Sequence, residues 1–219
     1  MTYVLRTTHG NDCKLSPTKV VCVGRNYAEH ARELNNEVPT EPLLFIKPTT
    51  ALVDFESTIV LAEHQHALHY ETELAILIGS PLKNADTERV ERAIAGVALA
   101  LDLTYRDLQT ELKTAGHPWE KAKAFDGSCP ITPFGSPTLV NLEQVQFCLT
   151  VNGKLQQSGD SSKMITPILP LIAYVSRHFS LCAGDIVLTG TPAGVGQLTA
   201  GDKLHVEMPK LVSATTSVY

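Results

Sequence analysis

The 219-residue chain is 43% hydrophobic and carries 18 basic against 23 acidic residues, for a formal net charge of -5. That is enough apolar material for a substantial core and suits one domain, while the scattered basic residues leave no cationic stripe for a nucleic-acid backbone. No stretch reaches the roughly 20 apolar residues of a membrane span, and MTYVLRTTHG has neither a signal-peptide core nor an Arg/Ser-rich transit segment, which predicts a cytoplasmic protein.

In chain order, KVVCVG (Lys19 to Gly24) is a β-branched run that ends in glycine and feeds the polar, alanine-rich NYAEHARELNN, a strand, turn, helix sequence. PLLFIKP, the apolar run from Leu68 to Gly79, and AIAGVALALD read as strands, the last two central because their hydrophobicity scarcely alternates. DTERVERAI opens on a helix-capping Asp86 with acids in its first turn. LTYRDLQTELKTAG runs into Gly116 and Pro118 as helix ends do. Beyond Pro118 strands dominate. QFCLTVNGKLQQSG holds Asn152-Gly153, a strong hairpin signal, and after one helix at about Leu169 to His178 come DIVLTG and KLHVEM. With no fixed-period repeat or low-complexity linker, the pattern predicts an α+β fold. The five cysteines (Cys13, Cys22, Cys129, Cys148, Cys182) are odd in number and scattered, and read as reduced, mostly buried thiols.

In HYETELAILIG, Glu71 and Glu73 stand two apart in an apparent strand, so both carboxylates project from one face. Adjacent anions in an apolar run are costly unless a cation or a shared proton offsets them. Asp102 ends ALALD just before the next predicted helix and adds a third carboxylate at the sheet rim. Three carboxylates make a hard oxygen site for Mg²⁺ or Mn²⁺, or for Ca²⁺. By spacing alone the same acids also fit a solvated edge strand with a helix-capping Asp. Just upstream, His64, His66 and His69 form H-x-H-x-x-H, an imidazole set that would favour zinc, although the surrounding AEHQHALH reads as a polar loop.

Read together with PLLFIKP, ALDLTYRDLQ, PWEKAKAFDGSCP and LTGTPAGVG, these acids give the chain a pattern that resembles the fumarylacetoacetate hydrolase family, from about Lys19 to Val206. Its length is similar to the short members: acylpyruvate hydrolases, oxaloacetate decarboxylases and oxaloacetate tautomerases. The resemblance implies a mixed β-sheet roll with peripheral helices and a single catalytic domain over residues 1–219, divided into an N-terminal extension (1–18) and a family core (19–208). It also implies Mg²⁺ or Mn²⁺ at Glu71, Glu73 and Asp102, an active-site lysine at Lys123, a catalytic dyad at His30 and Glu33, a small oxo-acid substrate, and a homodimer. Lys121 does not occupy the lysine's motif position and reads as a solvated charge.

Arg106 and Gln109 follow Asp102 at four and seven residues, so on one helix all three would share a face and the pair could contact a substrate; Arg106 could equally pair with Asp107 or Glu111. By the resemblance, Thr191 binds the substrate's acid end. Arg25, Asn26, Tyr27 and Lys47 are further rim candidates, with packing an alternative for Tyr27. Gly190, Gly194 and Gly196 lack the order of a nucleotide-binding loop and fit a tight substrate-facing turn.

This residue set suits metal-assisted enolate chemistry on short oxo-acids: oxaloacetate tautomerisation or decarboxylation, or acylpyruvate hydrolysis with His30 as base. The alternatives are a zinc hydrolase built on the histidines and a non-catalytic oxo-acid binding protein, which Lys123 disfavours. MPKLVSATTSVY lacks the turn glycine expected between the last two strands, which leaves the course of the final strand open.

Overall fold

Runs that are apolar at every position must be buried on both faces, and the two such runs here pair with each other in the middle of the main sheet. The computed structural model describes residues 3–34, 37–61 and 66–219. Along the chain come β1 (Val20–Gly24), α1 (Ala28–Glu33), β2 (Leu43–Lys47), β3 (Leu52–Asp54), β4 (Leu68–Tyr70) and β5 (Thr72–Ile78). Then follow α2 (Thr87–Ala93), β6 (Ile94–Leu101), β7 (Thr104–Tyr105), α3 (Arg106–Ala115), α4 (Glu120–Lys123) and β8 (Cys129–Ile131). The last third holds β9 (Gln146–Val151), β10 (Lys154–Asp160), α5 (Ile168–His178), β11 (Ile186–Leu188), β12 (Gly196–Gln197), β13 (Lys203–Met208) and β14 (Val212–Ser217).

A seven-stranded mixed sheet has the order β2-β1-β11-β5-β6-β8-β3, beside a four-stranded sheet β10-β9-β13-β14 and a three-stranded sheet β12-β4-β7. The fold is α+β, as expected. The period-two alternation of β5 and β6 divides the interior into two cores. Leu74, Ile76, Val97 and Leu99 join the larger one, packed with residues of α5 and β13, and Ala75, Ala98 and Ala100 join a smaller one capped by Leu5 and Phe134. Residues before β1 therefore contribute to the core, with Leu5 fully buried.

Local signals account for most element ends. Asp86 accepts the Arg89 N–H at 2.8 Å and caps α2. Gly116, at φ 68°, ends α3. Asn152 and Gly153, both at positive φ, turn β9 into β10. The final strand does form: β14 pairs with β13 over six residue pairs, and Lys210 takes φ 68° in place of a glycine. The left-handed conformation costs a non-glycine residue roughly 1–2 kcal/mol, a strain that the ladder on either side offsets.

Three further expectations need correction. The run from Leu68 to Gly79 is two strands in different sheets, broken at Glu71, because the Thr72 N–H donates to the Gln157 side chain (2.9 Å) instead of to a neighbouring strand. Asp102 does not abut a helix: β7 intervenes, held to β4 through Leu68 and His69, so Asp102 cannot share a helix face with Arg106. All five cysteines are free, but only Cys22 and Cys129 are buried, since Cys13 and Cys148 sit half-covered and Cys182 is exposed in the turn before β11.

That turn is organised by Asp185, itself fully enclosed. Its carboxylate accepts Thr18 N–H (3.0 Å), Thr18 hydroxyl (2.7 Å), Lys19 N–H (3.1 Å) and Cys182 N–H (2.8 Å), and pairs with the Lys19 ammonium. Burial alone would raise its pKa, but these donors, Lys19 first, hold it below the usual aspartate value. A depressed folded pKa stabilises above the unfolded value of about 3.9, and that stability is lost as pH falls through the folded pKa. Asp185→Ala is expected to cost about 3 kcal/mol at pH 7. Urea midpoints should show the gap to wild type narrowing at pH 3, and a gap that does not change with pH would contradict this account.

Candidate active site

The register of β5 on β6 brings the acids together. Thr72 pairs with Leu101 and Glu73 with Ala100, and the ladder continues one step through Asp102 N–H to the Glu71 carbonyl at 2.8 Å. Glu71 and Asp102 are thus directly opposite, where Cβ atoms lie about 5 Å apart, and Glu73 stands two residues along on the same face. One carboxylate oxygen from each of the three lies within 4.8 Å of the others, and all three residues are buried.

The cations that answer this charge come from separate elements. Lys123, the last residue of α4, donates to Glu71 Oε2 and to Asp102 Oδ2, each at 2.7 Å. Arg106, the first residue of α3, pairs with Glu71 Oε1 and donates to Gln109 Oε1 at 2.9 Å. Lys47, at the end of β2, is completely enclosed; its ammonium lies 2.9 Å from Asp102 Oδ1 and is bonded to the Lys123 carbonyl and to Ser128 Oγ (3.1 Å). On the other side of β5, the Gly190 N–H donates to Glu73 Oε2 at 2.6 Å. Gly190 has φ 98°, and a Cβ there would lie 2.7 Å from the Asn26 side chain, so only glycine presents this N–H.

The electrostatics follow from this distribution. Burial pushes the Glu71 pKa up, but Lys123 and Arg106 override it and hold Glu71 well below the usual glutamate value. Burial likewise opposes the charged form of Lys123, yet Asp102 and Glu71 raise its pKa above the ordinary lysine value. Glu73 faces the other two acids with, among the described residues, only the Gly190 N–H on its own carboxylate, and burial with their charge raises its pKa strongly. Asp102 Oδ1 is buried and lacks a hydrogen bond, because the Lys47 contact is an ion pair without hydrogen-bond alignment. An all-oxygen set with one acid short of positive charge and one orphaned oxygen fits a hard divalent cation.

The acids floor a cleft of about 320 Å³, walled by Arg25, His30, Gln109, Lys113, Trp119 and Thr191 among others. His30 Nδ1 contacts Glu33 Oε2 at 3.3 Å across one turn of α1, and the Gly194 N–H donates to Glu33 at 3.0 and 3.2 Å. Thr191 Oγ1 donates to the Thr72 carbonyl (2.9 Å) and accepts from Gln157 Nε2 (2.8 Å). Arg25 sits at φ 58° on the rim.

The structure therefore gathers His30, Glu71, Glu73, Asp102, Arg106, Gln109, Lys123, Thr191 and Arg25 around one cleft. Glu33 sits behind His30. Lys47 lies beneath the acids and does not line the cleft. Lys121 is exposed, Tyr27 packs in the core, and Asn26 braces the loop by donating to the Thr189 carbonyl at 2.9 Å. His64 lies outside the described residues. His66 contacts Asp107 at 3.2 Å, and among the described residues the three acids are the only His/Cys/Asp/Glu group placed to hold a metal, so the zinc reading gains no support.

Sequence reasoning missed Lys113, Trp119 and Gln157. Lys113 had a signal: Arg106, Gln109, Thr110 and Lys113 follow i, i+3, i+4, i+7, one helix stripe. Gln157 had none, since its role arises from the meeting of β10 with the β4–β5 break.

The mixed-sheet fold that carries this acidic cleft has counterparts among known enzymes. The fumarylacetoacetate (FAA) hydrolase C-terminal family matches residues 19–219. The chain is 52% identical over 196 residues to oxaloacetate tautomerase YcgM of Escherichia coli (strain K12), covering 86% of this chain and 87% of that one. A fumarylacetoacetate hydrolase family protein from Yersinia pestis CO92 superposes with a TM-score of 0.96 at 50% identity, over 99% of this chain and all of that one (100%). Fumarylpyruvate hydrolase from Pseudomonas aeruginosa, solved in complex with Mn²⁺ and pyruvate, gives 0.93 at 35% identity, over 99% and 95%. The chain belongs to the fumarylacetoacetate hydrolase family and is an enzyme of it.

A ligand at about one hundred times its Kd stabilises the folded state by about 2.7 kcal/mol. Mn²⁺ or Mg²⁺ is accordingly expected to raise the Tm in a concentration-dependent way, and Asp102→Asn to abolish that rise. A Tm insensitive to both ions would remove the acids from metal binding.

Proposed function

We propose that this chain is a Mg²⁺- or Mn²⁺-dependent enzyme that interconverts the enol and keto forms of oxaloacetate. The observation that carries this reading is the buried cluster of Glu71, Glu73 and Asp102 bridged by Lys123, on the floor of the cleft that His30 also lines. The 52% identity to oxaloacetate tautomerase supports it. Glu71, Glu73 and Asp102 would hold a divalent cation, which would supply Lewis acidity at the substrate's 2-oxo group.

The remaining chemistry belongs to the side chains. His30 Nδ1 is turned to Glu33, which fixes the tautomer and leaves Nε2 to take the C3 proton. As the C3–H bond breaks, its electron pair becomes the C2–C3 double bond and the carbonyl pair moves to oxygen. The ammonium of Lys123 and the guanidinium of Arg106 stabilise the resulting negative charge. Transfer of that proton from His30 Nε2 to the oxygen completes the enol and restores the neutral imidazole, and the reverse sequence gives the ketone. Gln109, whose Oε1 is held by Arg106, has its NH₂ left to position the substrate's C1 carboxylate, beside the Thr191 backbone. Lys47 acts through Asp102 and Lys123, which it holds in place from below.

The same electron sink would serve loss of CO₂ from oxaloacetate. Hydrolysis of an acylpyruvate is a second reading, favoured by the His30–Glu33 pair and by the likeness to fumarylpyruvate hydrolase. We also read residues 1–219 as one catalytic domain.

The test gives purified protein and Mg²⁺ three substrates in parallel, enol-oxaloacetate, keto-oxaloacetate and acetylpyruvate, followed by absorbance. Ketonisation is expected to be fastest and to stop when the ion is chelated, with Lys123→Met lowering kcat/KM by about 10²–10³-fold and His30→Ala by about 10²–10⁴-fold. Rates no greater than in protein-free buffer would overturn the proposal, and fastest cleavage of acetylpyruvate would replace it with the hydrolase reading.

A further inference from the structure

A second cavity, of about 400 Å³, adjoins the cleft and shares Leu43, Phe45, Trp119 and Lys123 with it. Most of its remaining wall is apolar, from Leu44, Ile46, Pro118 and Phe179. Sites that take small molecules span roughly 300–1,000 Å³ and are lined mainly by apolar and aromatic groups, and this cavity has both properties. Among the described residues its only acidic or basic members besides His117 are Glu120 and Lys123. Glu120 is exposed, and Lys123 directs its ammonium to Glu71 and Asp102, neither of which lines this space. On one side, then, the charged cleft gives way to an apolar chamber.

The edge of the main sheet makes that chamber. β2 stands last in the strand order and pairs with β1. Successive strand residues face opposite ways, so Leu43 and Phe45 lie on one face and Leu44 and Ile46 on the other, yet all four line the cavity. Only a space that wraps the open edge touches both faces. All four are half-buried, and the run carries none of the charges that usually protect an open edge. Phe45 links the two spaces: its ring centre lies 5.1 Å from the Lys123 ammonium and 6.2 Å from the centre of the Trp119 ring. A chain that starts on the acidic floor and runs past Lys123 meets aromatic surface.

We propose that this second cavity is an apolar subsite of the active centre, and that it takes the hydrocarbon tail of a 2-oxo monocarboxylate whose 2-oxo acid end lies on the Glu71, Glu73 and Asp102 floor. The tail runs along Phe45 and Trp119 toward Ile46 and Phe179. The proposal rests on the enolate reading of the site and adds a ligand class to it, since oxaloacetate has no apolar part and leaves the chamber unused.

The experiment uses the Mg²⁺-loaded full chain and four probes of increasing apolar length: 2-oxobutanoate, 2-oxohexanoate, 2-oxooctanoate and 4-phenyl-2-oxobutanoate, with oxaloacetate as reference. Calorimetric titration gives Kd, and C3 proton exchange followed by NMR in D₂O gives KM and kcat. In wild type, Kd and KM are expected to fall by about four-fold per added methylene until the chamber is full, with kcat nearly constant. Ile46 and Phe179 line the chamber and not the cleft. Ile46→Thr and Phe179→Ser should therefore flatten the series, and Ile46→Trp, which fills the chamber, should weaken the long probes and spare 2-oxobutanoate. An unchanged Kd for oxaloacetate in each variant shows that the fold and the floor are intact. A wild-type Kd independent of tail length, or a dependence that all three variants keep, overturns the subsite. So does a series that is flat in wild type while sedimentation shows an oligomer that Ile46→Thr dissociates, which assigns the edge to a second copy. Exchange of neither oxaloacetate nor any monoacid overturns the enolate reading, while the Kd series still decides the subsite.

Discussion

The constraint on which this molecule depends is mutual repulsion among three buried carboxylates. Two unit charges about 4 Å apart near a protein surface interact by on the order of 4 kcal/mol, so three such pairs together rival the roughly 5–15 kcal/mol that holds a domain folded. Glu71, Glu73 and Asp102 have oxygens within 4.8 Å of one another, and they are tolerable only because positive groups are built in around them. Lys123 is shared by two of the acids, Arg106 covers Glu71 from α3, Lys47 approaches Asp102 from beneath, and a backbone N–H faces Glu73. Compensation is uneven: it is weakest at Glu73, where burial and like charge raise the pKa most.

That compensation explains otherwise odd features of the fold. A lysine with no solvent exposure is rare unless paired, and Lys47 meets the condition through Asp102, two backbone carbonyls and Ser128. The helix α4 is only four residues long, too short to stand on its own, yet its end delivers Lys123 to the acids while the Lys47 contact pins the Lys123 carbonyl. The loop after β11 is tied down at both ends of its glycine-rich stretch, Gly190 on Glu73 and Gly194 on Glu33. Glu73 and the His30–Glu33 pair are therefore held by the same loop.

How far the sequence could be read follows from the range of each interaction. Local signals were legible: the Asp86 cap, the Gly116 stop, the Asn152-Gly153 hairpin, and the two unalternating runs that become β5 and β6. Glu71 and Glu73 could be paired because two-residue spacing works over any extended stretch, even one that bends between sheets. The bend itself was not legible, since it depends on Gln157, 85 residues away in sequence, accepting the Thr72 N–H. Asp102 was placed correctly at the sheet rim for a partly wrong reason: it faces Glu71 through strand register, whereas no helix carries it toward Arg106. Lys47 was read as a rim residue because sequence shows that a lysine ends a strand and cannot show which side of the acids the strand passes.

The two lysines show why like residues at one centre need not be interchangeable. Both ammonium groups lie within 3 Å of a carboxylate oxygen of Asp102, Lys47 at 2.9 Å on Oδ1 and Lys123 at 2.7 Å on Oδ2. Lys47 spends its three N–H donors on Ser128 and two carbonyls and does not line the cleft. Among the described residues, the Lys123 ammonium bonds to two carboxylates only, and it faces the cavity 5.1 Å from the centre of the Phe45 ring. An ammonium held by backbone carbonyls is fixed and structural. One held by charges that a ligand or ion can redistribute is free to shift its partnership during a reaction. Buried side by side, the pair divides the work of holding the acids: Lys47 ties Asp102 to the Lys123 backbone, and Lys123 bridges Glu71 and Asp102 at the cleft.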